Sequence, residues 1–226
     1  MCGRFALTFV HGFWSRFSIS DPPNLDLVAR FNIAPTQQVT IVTSASPNTA
    51  VMMRWGLIPF WAKDVKIGSR MINARAETVA AKPAFRASLK RRRCIVPATG
   101  FYEWKKDSGS KRPFYIHLKD NAMFGFAGLY DRWKDQDGNE TLSFTIITTK
   151  PNPMMEKIHN RMPVILREEH EQSWLRNEVL AKENLGKMFA AYPSSRMVAY
   201  EVSKDVNNPS VDSEHLIEPL RTLKAD

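Results

Sequence analysis

Cys2 lies directly behind the initiator, in Met1-Cys2-Gly3-Arg4-Phe5, and this position gives it a chemical option closed to an internal cysteine. Trimming of Met1, which the small Cys2 side chain favours, leaves an α-amine and a thiol on adjacent carbons of one residue. An α-amine titrates near pKa 7.7 to 8.0 and a thiol near 8.5, so both are usable nucleophiles around neutral pH. The amine can condense with an aldehyde to an imine, and the sulfur can then add to the imine carbon and close a five-membered thiazolidine. Well-oriented ring closures of this kind reach effective molarities of roughly 10⁵ M. The plain alternative is a small residue after the start codon.

Three further segments carry chemistry. Asn73, in Ile72-Asn73-Ala74-Arg75-Ala76-Glu77, offers a donor and an acceptor for an amine or ring nitrogen, and Arg75 can clamp a phosphate; helix entry is the competing reading. Glu103, in Gly100-Phe101-Tyr102-Glu103-Trp104, sits among aromatic residues whose packing would raise its pKa towards that of a general acid or base. Strand alternation leaves a second reading open, an exposed carboxylate beside Lys105-Lys106. His159 closes a proline-bounded segment, Pro151 to Pro163, in which a short helix would present it at a C-terminus that favours the imidazolium. His11, His117, His170 and His215 lack such framing and read as packing or surface residues; no histidine or cysteine spacing fits a metal, so neither metal nor cofactor is expected.

The elements that must position these groups are mainly strands. Runs rich in β-branched and aromatic residues predict strands over 39–43, 50–57, 94–96, 113–118, 123–130, 142–149, 163–166 and 197–202, with Asp137-Gly138-Asn139 as a hairpin turn. Shorter helical patterns cover 10–17, 82–92, 153–159, 168–176 and 183–190. The expected class is α+β, a mostly antiparallel, barrel-like core with short peripheral helices. No apolar run reaches the roughly 18 residues of a membrane span, the N-terminus lacks signal-peptide order, and the two cysteines form no Cys-x-x-Cys pair, so a cytoplasmic protein with reduced thiols is expected. Residues 51–100 hold eleven Lys/Arg against Asp64 and Glu77, which accounts for the whole net charge of +9. Such a concentration suits nucleic acid, and a solvated basic face is the bland alternative. In Arg54-Trp55-Gly56-Leu57-Ile58-Pro59-Phe60-Trp61 the sequence favours burial of Trp55 and exposure of Trp61, where a ring can stack on a base.

In order along the chain, the segments around Cys2, Asn32-Ile33-Ala34-Pro35, Arg54 to Pro59, Asn73, Glu103 and His159-Asn160-Arg161-Met162-Pro163 closely resemble the SRAP family, the SOS response-associated peptidases now described as abasic-site processing proteins. The resemblance runs from Cys2 to Val206-Asn207 and implies one SRAP domain over 1–226, a monomer that binds single-stranded and junction DNA and captures abasic sites covalently, nucleoid-associated when on DNA. It casts Cys2 as nucleophile, Asn73 as the partner of the adduct's ring nitrogen, Glu103 as acid/base, and His159 as an aid to proton transfer. It also turns Arg4, Arg75 and Arg161 towards the DNA backbone; Arg70 and the exposed Trp61 are expected as further DNA contacts on the residues' own chemistry. Asn160 and Met162 stand where some relatives carry Asp and Arg. Two other functions stay open: a thiol autopeptidase cutting before Cys2, and a single-strand binder without catalysis.

Overall fold

A computed structural model describes residues 2–43, 49–107 and 109–220. In chain order the elements are β1 (Phe5–Leu7), α1 (Phe13–Arg16), β2 (Arg30–Ile33), β3 (Gln38–Thr43), β4 (Thr49–Trp55), β5 (Asn73–Arg75), α2 (Pro83–Arg91), β6 (Arg93–Ala98), β7 (Gly100–Asp107), β8 (Ser110–Leu118), β9 (Phe124–Lys134), β10 (Glu140–Thr149), β11 (Met162–Pro163), α3 (Glu168–Leu175), α4 (Lys182–Met188) and β12 (Met197–Glu201). One sheet closes on itself: β10, β4, β3, β6 and β9 follow one another, and β9 pairs back onto β10. Closure removes the exposed edges that an open sheet would offer. Asp135 helps to close the β9–β10 hairpin by accepting from the backbone N–H groups of Asp137 and Asn139, and Gly138 takes the positive φ of 85° that the turn requires. All pairings in the ring are antiparallel except β10 with β4.

The second sheet, β12-β8-β7-β1-β2, is antiparallel throughout and leans on the ring through aromatic contacts. Phe5 of β1 meets Trp55 of β4 and Phe126 of β9 edge-on, with ring centroids 5.0 and 5.9 Å apart. Each fully buried ring of this size contributes about 1.5–3 kcal/mol. Alternation then sorts the strands: Phe5, Leu7 and Phe101 join the main core, whereas Ala6 and Tyr102 face a smaller cluster with Tyr115, Val202, Val206 and Leu216. Glu103 shares its face with Phe101, so the strand carries a carboxylate into the seam between the sheets. Residues 203–220 are tied across the second sheet by the buried Asn32, whose Nδ2 donates to the carbonyls of Asn208 and Val211 at 3.0 and 2.6 Å.

Expected and observed elements agree on β3, β4, β6, β8, β9, β10 and β12 and on α2, α3 and α4, and the fold is α+β with a barrel core; the eight-residue β7, which carries Glu103, is not among the expected strands. The other differences lie in short pieces. The 10–17 pattern yields only Phe13–Arg16, and 163–166 yields Met162–Pro163 plus an isolated bridge between Ile165 and Phe126. The 153–159 helix is a single 3-10 turn over Met155–Lys157, because Asn152 Oδ1 takes the N–H groups of Met154 and Met155 and sets a tight turn. Asn73 opens a strand, β5, rather than a helix.

Candidate active site

The N-terminal segment reaches the site because β1 pairs with β7, Phe5 opposite Phe101, and the Tyr102 N–H donates to the Arg4 carbonyl at 2.9 Å. That pairing lays Cys2 beside the strand that carries Glu103. The end of β10 assembles the remainder. Thr148 pairs with Arg75 of β5 on one edge and with Pro163 of β11 on the other, so Asn73 and the 158–163 loop flank one strand end. The four expected residues meet there from four stretches of chain.

Asn73 Nδ2 donates to the Cys2 carbonyl at 2.7 Å, while its Oδ1 is buried with no hydrogen-bond partner among the described residues. Glu103 is buried at 1% exposure, which overturns the exposed-carboxylate reading. Burial pushes its pKa up to about 7, against a downward pull from the Trp104 backbone N–H. His159 Nδ1 stands 3.9 Å from Glu103 Oε1, and the same nitrogen lies 3.1 Å from the Arg161 N–H and 3.2 Å from the Arg161 carbonyl, so the Arg161 backbone sets the ring's orientation. The expected stabilisation of an imidazolium is corrected: burial lowers the His159 pKa, the charges of Lys106 and Arg161 add to this, and one 3-10 turn supplies little dipole. Cys2 is fully buried, its thiol 3.9 Å from the Arg4 carbonyl. Burial, then the neighbouring charge of Glu103, raises the thiol pKa and keeps it protonated.

The basic residues divide into two groups. Arg70, Arg75 and Trp61 are exposed, Trp61 at 49%, with Phe60 beside it at 61%. The backbone on either side of Trp61 is tied to β9, where Asp131 accepts from the Phe60 N–H and Trp133 Nε1 donates to the Ala62 carbonyl. Arg4 and Arg161 instead serve internal contacts. Arg4 Nη1 donates to Asn32 Oδ1 and the Val206 carbonyl at 2.6 and 2.7 Å. Arg161 grips both oxygens of Glu77, at 2.7 and 3.0 Å, and reaches the Thr148 carbonyl. Part of the basic excess is structural as well: Arg93 is buried and spends its guanidinium on the carbonyls of Trp174, Leu89, Arg176 and Glu178. Trp55 is buried, as the sequence suggests, and so is Cys94.

Sequence reading missed Thr148, Asn207 and the hairpin lysines. A cavity of about 470 Å³ opens beside the site, lined by Glu103, Trp104, Lys106, Lys111, His159 and Asn207. Trp104 is fixed there by an indole N–H bond of 2.8 Å to Asn207 Oδ1, a link of 103 residues in sequence that no local pattern signals.

The sequence and the fold are both shared with known proteins. The model of the SOS response associated peptidase (SRAP) family matches residues 1–209. Abasic site processing protein YoqW of Bacillus subtilis strain 168 is 47% identical over 222 residues, covering 96% of this chain and 99% of that protein. Abasic site processing protein HMCES of Xenopus tropicalis is 35% identical over 188 residues, 73% of this chain and 55% of that one. A crystal structure of a protein from Bacteroides thetaiotaomicron superposes with a TM-score of 0.86 at 29% identity, covering 96% of this chain and 99% of the other. The chain belongs to the SRAP family.

Proposed function

We propose that this chain processes abasic sites in DNA by closing a thiazolidine between Cys2, freed of Met1, and the lesion's aldehyde. Met1 itself lies outside the described residues. The observation that carries the reading is the Asn73 carboxamide, which holds the Cys2 carbonyl at 2.7 Å and keeps a buried, unpartnered oxygen for the N–H of an adduct ring. The amide assignment follows from this bonding pattern.

The chemistry follows from the protonation states. A closed deoxyribose must lose its C1′ hydroxyl proton and gain one on the ring oxygen to expose the aldehyde. Glu103, poised near neutrality, is equipped for both transfers, with His159 beside it to relay. The α-amine adds to C1′, and Glu103 supplies the proton that carries water away to leave an iminium. The thiol, protonated in its buried pocket, enters last: its proton passes to the Glu103 carboxylate as the sulfur–carbon bond forms, and the iminium becomes a ring amine. One water is lost overall. An iminium left open would promote β-elimination and cut the strand, whereas the tetrahedral C1′ of the ring removes that electron sink. Cysteine-peptidase chemistry is less well served, since it needs a thiolate that this burial opposes.

The substrate class we assign is single-stranded DNA, including junctions, with Arg70, Arg75 and Trp61 as exposed contacts, and Arg4 and Arg161 as positioning residues that can turn to the backbone when DNA arrives. The protein acts as a single SRAP domain and monomer. Among the described residues no helix is long and apolar enough to cross a membrane.

The test is incubation with an oligonucleotide carrying one abasic site. A one-to-one conjugate that survives heating in denaturant, with the strand uncut, is expected, and an intact oligonucleotide should give none. Retention of DNA without any covalent species, even after borohydride, would leave a binding module and overturn the proposal.

A further inference from the structure

The β7–β8 hairpin sets like charges opposite each other. Its register places Lys105 across from Arg112 and Lys106 across from Lys111. Cross-strand like charges destabilise a hairpin unless something neutralises them. For Arg112 the neutralisation is internal, from Asp107 at 3.1 Å and Glu201 at 3.0 Å. For Lys106 and Lys111, both exposed, no carboxylate is in ion-pair range among the described residues. Both line the 470 Å³ cavity together with Glu103 and His159. The Lys106 charge is close enough to act on the His159 imidazole. A second hollow of about 340 Å³ shares Trp104, Lys106 and His159 with that cavity and is also lined by Lys157 and Glu156.

We infer that Lys106 and Lys111 form a phosphate subsite, which holds the phosphodiester next to the captured sugar and so sets the lesion at Cys2. This rests on the abasic-site reading, since a phosphodiester is the anion that the substrate itself carries into this cavity. The subsite positions substrate and takes no part in bond making, so its loss weakens encounter while the chemistry of a phosphate-free aldehyde stays intact.

The experiment compares wild type with the Lys106→Gln/Lys111→Gln double variant on two substrates, an abasic oligonucleotide and free 2-deoxyribose, with Lys187→Gln on α4 as a charge control outside the cavity. Capture of the oligonucleotide at limiting concentration should fall about tenfold in the double variant, and the log–log salt slope between about 50 and 200 mM should flatten by about 1 to 1.5. Capture of 2-deoxyribose should not change, nor should either substrate respond to Lys187→Gln. An unchanged oligonucleotide rate and slope would overturn the subsite. An equal loss with Lys187→Gln would overturn it in favour of a general field, and a loss of 2-deoxyribose capture would overturn it in favour of a chemical or structural role. If wild type captures neither substrate, the abasic-site reading itself fails and takes the subsite with it.

Discussion

Replacing Cys2 with alanine reduces the heat-stable conjugate by at least about 10³-fold, because the ring-closing nucleophile and its effective molarity vanish together. The α-amine survives this change, so the variant should still give a borohydride-reducible imine and, without borohydride, more strand cleavage than wild type. Cys2→Ser should behave in the same way, since a serine hydroxyl is a far poorer nucleophile than sulfur towards an iminium. Denaturing gels run with and without borohydride read all three quantities. An undiminished heat-stable conjugate from Cys2→Ala would mean that another residue makes the bond.

Glu103→Gln slows capture by roughly 10² to 10⁴-fold, the usual contribution of a positioned acid or base, and it also makes the protein more stable above neutral pH. The sign follows from linkage. The Glu103 carboxyl moves from its ordinary 4.5 to about 7 on folding. Between those values the folded chain holds a proton that the unfolded chain has released, so stability falls as pH rises through the window, and the loss is complete above about 7. At 1.36 kcal/mol per pKa unit the penalty at pH 8 is about 3 kcal/mol. Glutamine fills the same volume without an ionisable proton and escapes it. Urea denaturation at pH 8 should therefore show the variant ahead by about 2 to 3 kcal/mol, with the gap nearly closed at pH 4. Equal midpoints at both pH values would place Glu103 in a solvated, unperturbed setting.

Four of the ring strands were legible in the sequence as long apolar, β-branched runs whose own pattern suffices, while β6 showed only its centre, Cys94 to Val96. Glu103 was legible as a candidate, yet its burial was not, since alternation alone leaves the choice of face open until Phe101 is seen to pack on Phe126 at 6.0 Å. Short elements defeated local reading. Strand β5 is three residues long and exists only because Ile146, Ile147 and Thr148 offer it a parallel edge more than 70 positions away. Strand β1, equally short, depends on β7 and β2. The ion pair of Arg161 with Glu77 was not legible either, since the two lie 84 residues apart. The depressed His159 pKa is likewise largely a tertiary effect, set first by burial and helped by the charge of Lys106 from the β7–β8 hairpin.

The most direct measurement is the accurate mass of the N-terminal peptide after nuclease and protease digestion of the conjugate. A peptide that begins at Cys2 and carries the lesion's deoxyribose remnant less one water, unchanged by borohydride and without a free thiol, is the predicted result. A remnant lost on heating, a thiol still open to alkylation, or an adduct on any residue other than Cys2 would contradict the account.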